Sequence, residues 1–255
     1  MSLFERVLAW LGDPAHWSGP TGIPVRLVEH LYYSGLAVAL GVLLAVPVGV
    51  LVGHARRGGL VVGLANGLRS LPELGLLILL VLLIGFGLLP VVLALTVLAV
   101  PPLLAGSYAG VRNVDRAIVD AARGMGMREH QVLLRVELPM ALPLVISGFR
   151  VATLQVIATA AISAVVGFGG LGRLLIDGQR AGPTGYPEMA SGAVLIAALA
   201  LVTEAVLAGV QRLVVSPGLR DVGRRRRSSL APADPDHEPV GGSAAVPDPA
   251  GVRVR

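Results

Sequence analysis

The chain has 255 residues, of which 54% are hydrophobic and 15% are charged, and its mean hydropathy is +0.76; soluble domains carry roughly a quarter of charged residues, so this composition indicates a membrane protein. It contains no cysteine, which excludes disulfides and cysteine-bound metals, and all 21 basic residues are arginine, which excludes a P-loop lysine. The formal net charge is +5, but arginines beside apolar segments are typical of membrane topology, so we expect a lipid bilayer and no nucleic acid as partner.

The first segment, residues 1–26, is predicted to lie outside the membrane. Its apolar run at residues 7–11 is too short for the core of a signal peptide, and Glu5 stands just before that run. We therefore expect an interfacial helix anchored by Trp10, followed by a loop rich in glycine and proline at residues 13–22.

Five apolar segments are predicted to cross the membrane, since a spanning helix needs about 20 apolar residues. The apolar stretch at residues 71–111 must hold two of them, because a single helix of that length would be about twice as long as the bilayer core is thick. Glycine and proline at residues 85–90 mark the break. The predicted spans are residues 31–53, residues 73–84 extended by a turn at each end, and residues 89–107, 143–166 and 189–210.

Three connecting segments also carry predictions. Residues 58–70 are expected to form a short helix on the cytoplasmic side, residues 167–172 to break the helix near the outer face, and residues 173–188 to form a mostly polar loop. The glycine spacing at residues 167–172 is also that of a dinucleotide-binding loop, but it follows a membrane span rather than a strand, which argues against that function.

Most arginines fall on one side of this arrangement, and that side is predicted to be the cytoplasm. The N-terminus is then outside and the C-terminus cytoplasmic. The cytoplasmic arginines are Arg56, Arg57, Arg69, Arg112, Arg116, Arg123, Arg128, Arg135, Arg150, Arg212, Arg220 and those at 224–227, and the outer ones are Arg6, Arg26, Arg173 and Arg180. Residues 27–212 form the transmembrane domain, and residues 213–255 are predicted to be a basic, disordered cytoplasmic tail.

The polar segment at residues 112–135 separates the third and fourth spans. We expect a short helix from Asp120 to His130, with Asp120 at its favourable N-terminal end. Glycine lowers the stability of a helix by about 1 kcal/mol relative to alanine. A segment that only connected two spans would not need glycines at 124 and 126, so we expect them to serve another purpose. Small residues permit close approach of a partner surface, and Met125 and Met127 suit an apolar groove.

The pattern Asp-Ala-Ala-x3-Gly-x9-Val-x-Leu-Pro, which begins at Asp120 and ends at Pro139, resembles the "EAA" loop of ABC importer permeases. The resemblance implies an all-α membrane protein with the type I ABC importer permease fold, in which this loop docks on a cytoplasmic ATPase subunit. ATP would bind to that partner, with no cofactor on this chain. The residues carried over to this docking role are Asp120, Ala121, Ala122, Arg123, Gly124, Met125, Gly126, Leu138 and Pro139. Aspartate stands at 120 where the family has glutamate, which shortens the reach of the carboxylate.

Further stretches resemble the permeases of osmoprotectant importers, namely residues 107–115, 122–127, 148–150, 157–160 and 166–172. The resemblance implies uptake of glycine betaine, carnitine, choline or proline across a bacterial cell membrane. It also implies an extracytoplasmic binding protein and a second copy or sister permease as partners. The alternatives are a permease for another small solute such as methionine, and an ion-coupled secondary transporter. The latter would need several buried acids and an inverted repeat, whereas the last span holds one acid, Glu204, and no repeat is found.

Polar side chains within the spans carry open alternatives. Thr153, Gln155, Thr159 and Ser163 either line a translocation path or make hydrogen bonds between helices. Arg150 is a gate residue or extends to the membrane edge, and Glu204 is functional or paired with a neighbour, with Arg212 two turns away. Aromatic residues make up only 4% of the chain and do not cluster within one span, so we expect the high-affinity site for a quaternary amine to lie on the binding protein.

Overall fold

The computed structural model describes residues 2–214, and every regular element within them is helical. The predicted tail therefore lies almost entirely outside the described residues. The α-helices are α1 (Leu3–Gly12), α2 (Ile23–His54), α3 (Gly59–Gly67), α4 (Glu73–Ile84), α5 (Leu88–Arg112), α6 (Arg116–Gly124), α7 (Glu129–Val132), α8 (Leu138–Ala160), α9 (Gly172–Arg180) and α10 (Tyr186–Val214).

Helix α1 confirms the short helix predicted at the N-terminus. Ser2 caps it, because its hydroxyl accepts from the Glu5 backbone N–H at 3.3 Å while the Glu5 carboxylate accepts from the Ser2 N–H at 2.9 Å. Trp10 stacks on His16 with ring centroids 3.9 Å apart, which joins the end of α1 to the following turn. Helix α1 packs against α10.

Three helices, α2, α5 and α8, form the packed centre of the described chain. They approach closely because glycines face each other or face backbone. A Cβ added at Gly106 would lie 2.8 Å from the Cα of Gly148, and one at Gly49 would lie 2.8 Å from the carbonyl oxygen of Leu104. Lipid tails are as apolar as these side chains, so such close van der Waals contact is what holds membrane helices together.

The structure reaches the five predicted crossings only if a bent pair of helices counts as one of them. Within residues 2–214, four helical stretches are long and apolar enough to span a membrane, and a fifth arises if the segments Gly59–Ser70 and Glu73–Ile84, bent by 88°, form one span. Helix α4 has just 12 residues, so the predicted extra turn at each end is wrong. Pro72 is extended (ψ 115°) at its start, and Gly85 has φ +95° at its end, so both termini are fixed by backbone conformation.

The fourth crossing begins earlier than predicted. Helical backbone is continuous from Glu129 through a π-helical turn at Leu133–Glu137 into α8, so Pro143 lies inside the helix rather than at its start. Pro139 lacks the N–H that an α-helix would direct at the carbonyl of residue 135. The π-helical turn lies at that position, which is a common adjustment next to proline.

The outer segment between the last two crossings is helical, not the polar loop predicted for residues 173–188. After α8 a 3-10 helix, Ala161–Val166, ends at Gly167 with φ +80°, which confirms the predicted helix break. Helix α9 follows, with Arg173 and Asp177 paired at 2.7 Å one turn apart, and Arg26 of α2 reaches Asp177 at 3.7 Å. The polar residues are thus one face of a helix that covers the outer end of the bundle.

The glycine contact between α5 and α8 yields a prediction. In Gly148→Ala the new methyl group would lie 2.6 Å from the carbonyl oxygen of Pro102 and must push the helices apart. We expect this overpacking to cost about 1–3 kcal/mol and to lower the unfolding temperature of the purified protein in detergent. Gly63→Ala in α3 is the control, because nothing lies within 4 Å of its added Cβ. Equal melting of the two variants would contradict this account.

Candidate functional site

Helix α6 carries most of the segment singled out in the sequence, but its boundaries differ from the prediction. It begins at Arg116, where the Asp115 carboxylate accepts from the Ala117 N–H at 2.9 Å, and it ends at Gly124. The expected helix from Asp120 to His130 is therefore wrong, and Asp115 rather than Asp120 occupies the helix start. Gly126 has φ +85° and turns the chain, because a residue without a side chain adopts that conformation without strain.

One face of α6 is buried. Val119 and Ala122 are almost inaccessible and pack with Val114 and Val132, and Met127, Val136 and Met140 border this small core. Ala122, which was assigned to docking, is thus an internal contact. This packing joins α6 to the helical segment that leads into α8.

The opposite face of α6 is exposed and made of small residues. Ala117, Ala121 and Gly124 share it, because they are four and three residues apart, and each is exposed. Ile118 and Met125 flank this face with 41% and 77% of their surface accessible. A short polar helix that leaves apolar side chains in water is typical of a protein contact.

The other residues assigned to docking lie around this face. Asp120 is exposed, and no atom lies within 4 Å of a Cβ added at Gly124 or Gly126, so both glycines are open to an approaching surface. Pro139 is exposed, whereas Leu138 is half-buried against a second small core with Ala141. Leu138 therefore contributes to the packing beneath this segment.

A series of charged side chains connects α6 to neighbouring helices. The guanidinium of Arg123 donates to both carboxylate oxygens of Glu129 at 2.9 Å and lies 3.5 Å from Asp120. The hydrogen bonds to Glu129 raise the pKa of Arg123 above its ordinary value, so it stays charged. The Glu129 carboxylate lies 3.3 Å from Nε2 of His54, whose Nδ1 lies 2.5 Å from Oε2 of the buried Glu137.

This series of side chains links α6 to the end of α2 and to the start of α8. We refer to Arg123, Glu129, His54 and Glu137 as the charged link. Sequence reasoning missed it, because His54 and Glu137 are 83 positions apart. The available signal was Glu137 itself, a carboxylate just before the apolar residues of α8, which needs a partner if it is buried.

The four path candidates do not line one path. Thr153 borders a cavity of about 530 Å³ between α2, α8 and α10, where Ser34 and Thr203 also lie. Thr159 and Ser163 border a different, narrow cleft toward α4 and α5, and Gln155 is half-buried away from both sets of lining residues. The Thr153 hydroxyl donates to the Phe149 carbonyl within α8. The Ser163 hydroxyl lies 2.7 Å from the Ala160 carbonyl oxygen and 3.4 Å from the Tyr33 hydroxyl of α2, so Ser163 also makes a contact between helices.

Arg150 and Glu204 pair with each other across α8 and α10. The guanidinium contacts both carboxylate oxygens of Glu204 and the side-chain oxygen of Gln211, whose amide donates to the Pro143 carbonyl at 3.3 Å. For Glu204, the structure thus shows pairing with a neighbour, through an ion pair between α8 and α10. The only acid predicted within the last span is therefore neutralised by a neighbour.

A bundle of membrane-spanning helices that leaves a short amphipathic helix exposed at one end is typical of a membrane subunit with a soluble partner. Residues 37–221 match the family described as binding-protein-dependent transport system inner membrane component, and the chain belongs to this family.

The chain is similar to several proteins of this kind. It is 35% identical over 193 residues to the glycine betaine/carnitine/choline transport system permease protein OpuCB of Bacillus subtilis (strain 168), covering 75% of this chain and 88% of that protein. It is 36% identical to the osmoprotectant import permease protein OsmW of Salmonella typhimurium (strain LT2), and the match covers 75% of this chain and 91% of that protein. A chain of the inward-facing MetNI methionine ABC transporter matches with a TM-score of 0.68 and 25% identity, and the match covers 80% of this chain and 100% of that chain.

The charged link yields a second prediction. Glu137→Ala removes the buried acceptor of His54, and a buried group without its partner costs about 1–3 kcal/mol. We expect residues 116–132 to exchange backbone hydrogen faster in this variant, because His54 loses its buried acceptor and is then held only by the exposed Glu129, which weakens the charged link. Glu73→Ala, at the start of α4, should leave exchange in that segment unchanged. Unaltered protection in Glu137→Ala would show that apolar packing alone holds the segment.

Proposed function

We propose that this chain is the transmembrane permease subunit of an ATP-driven importer of osmoprotectants such as glycine betaine, carnitine, choline or proline. The observation that carries the substrate class is the similarity, over 82–91% of the length of each relative, to permeases named for glycine betaine, carnitine and choline or for osmoprotectants. The bundle supplies the crossing, and the exposed face of α6 supplies a contact for a cytoplasmic partner.

In this proposal the cytoplasmic ATPase subunit docks on α6. Ala117, Ala121 and Gly124 allow close approach, and Ile118 and Met125 insert beside them. ATP binds and is hydrolysed on the partner, and this chain binds no cofactor. Rigid movement of α6 passes through the buried face of α6 and the charged link to α2 and α8, which changes access to the solute from one side to the other.

The complete importer in this proposal has two permease chains and an extracytoplasmic binding protein. Large apolar residues are exposed along α4, among them Leu82 and Leu83, and along α10, among them Leu201 and Val202. A bilayer and a second permease are the surroundings that suit such surfaces. The binding protein delivers the solute to the outer end, where α9 and the glycines at residues 167–172 lie.

A second candidate is a permease for methionine or a similar small solute, which the likeness to the MetNI chain favours. An ion-coupled secondary transporter has less support, because the intramembrane carboxylate of Glu204 is paired with Arg150 rather than held ready for a proton or ion.

Uptake of labelled glycine betaine at high osmolarity distinguishes these candidates. Cells with and without the gene are compared, with choline, carnitine, proline and methionine as competitors. The proposal expects uptake to fall in the deletion and quaternary amines to compete. Unchanged uptake of glycine betaine, with methionine uptake lost instead, would favour the second candidate.

The docking role yields a third prediction. Ala121→Glu places a charged side chain at the centre of the exposed face of α6, where a partner must approach closely. We expect uptake to fall more than tenfold while the subunit remains in the membrane at normal amounts. Asn113→Glu adds the same side chain just before α6 and is the control. Normal uptake by Ala121→Glu would contradict docking on this face. Gly126 is a less suitable position for this test, because any side chain there would also strain the turn.

A further inference from the structure

A cavity of about 230 Å³ opens at the outer end of α2, away from α6. It is lined by Glu29, Tyr32, Tyr33, Leu88, Phe168 and Gly169. Three of the chain's few aromatic rings thus gather around one carboxylate: Tyr32 and Tyr33 lie one turn after Glu29 on α2, and Phe168 comes from a distant part of the sequence. This cluster was not predicted from the sequence, because Phe168 belongs to the break after α8.

The aromatic wall of this cavity is held rigidly. Tyr33 and Phe168 meet edge to face with ring centroids 5.4 Å apart. The Tyr33 hydroxyl is buried and lies 3.1 Å from Nδ1 of His30, and it is 3.4 Å from the carbonyl oxygens of Ala160 and Gly169. Tyr32 is different, because 59% of its surface is accessible, and its ring borders the open side of the cavity.

Two glycines make space in the wall of this cavity, one for the carboxylate of Glu29 and one for the ring of Tyr33. A Cβ at Gly169 would lie 2.8 Å from the carboxyl carbon of Glu29, and one at Gly170 would lie 3.0 Å from the ring of Tyr33. The N–H of Gly170 donates to Oε2 of Glu29 at 2.7 Å and orients the group. This donor is a neutral backbone amide, so it positions the negative charge without neutralising it.

This combination of groups has a specific chemical preference. A quaternary ammonium group has no N–H to donate, so it is recognised by aromatic rings and a nearby negative charge rather than by hydrogen bonds. A neutral solute gains little from such a wall, and an anion is repelled by Glu29. The cavity also lies at the end of the bundle through which an imported solute enters.

We propose that Glu29, Tyr32, Tyr33 and Phe168 form a binding site on the permease itself for a quaternary ammonium group arriving from outside. The proposal rests on the proposed function for its substrate class. It adds a site on the permease to the high-affinity site expected on the binding protein. The site would receive the solute on its release and hold it at the outer end of the bundle.

Direct binding tests this site without transport. The importer, assembled from the permease and its ATPase subunits without the binding protein, is placed in lipid nanodiscs, and binding of labelled choline is measured. Wild type should bind choline saturably, and neither proline nor methionine should displace it. Glu29→Gln keeps the acceptor for Gly170 and removes the charge, and we expect it to bind choline about tenfold more weakly.

Two aromatic variants and two controls complete the set. Tyr32→Leu and Phe168→Leu should also weaken choline binding by about tenfold, whereas Glu5→Gln in α1 and Tyr186→Leu in α10 remove matching groups elsewhere on the outer side and should change nothing. Glu29→Gln should weaken choline more than glycine betaine, because glycine betaine carries its own carboxylate. No choline binding by wild type, or equal binding by wild type and all three site variants, would overturn the proposal.

Uptake by the same variants separates this proposal from the function on which it rests. If wild-type cells import choline and the site variants show a higher KM for it, both are supported. If wild-type cells import choline and the variants match wild type in KM and in binding, the site is wrong and the function stands. If wild-type cells import no quaternary amine and wild-type nanodiscs bind none, both fall.

Discussion

The structure depends on one steric constraint, the close approach of α5 to α8 and to α2. Gly106 faces Gly148, and Gly49 faces the backbone of α5. In a bilayer there is little hydrophobic gain from joining apolar helices, so contact of this kind must supply the attraction. Once these three helices are fixed, the other elements attach to their ends. Helix α6 and the charged link lie at one end, and α9 and the aromatic cavity lie at the other.

Composition and periodicity predicted much of this architecture from the sequence. Apolar runs indicated the crossings, because hydrocarbon tolerates little else, and the glycines at 85 and 167 marked real chain breaks. The errors have local causes. Helix α6 was expected to continue to residue 130 but ends at Gly124, because the chain turns at Gly126. Residues 172–180 are helical because their polar side chains form one face of an amphipathic helix.

The side-chain sites were less predictable than the spans. The segment at residues 120–126 was recognisable from its spacing, but which of its residues face outward depends on α6 beginning at Arg116. His54 with Glu137, Arg150 with Glu204, and Tyr33 with Phe168 each join positions more than 50 residues apart. Such pairs follow from helix packing, and a single sequence contains no direct record of which faces meet.

Helical backbone runs from Glu129 to Val166, a rod of about 57 Å at the rise of an α-helix. Its cytoplasmic end carries the partners of α6, and Phe168 and the glycines beside Glu29 follow directly after its outer end. Gly148 touches α5 near the middle of this rod. The same rod therefore connects the partners of α6 to the aromatic wall. If it tilted as a rigid body about the glycine contact, its two ends would move in opposite directions, and a shift on the cytoplasmic side would also shift the aromatic wall.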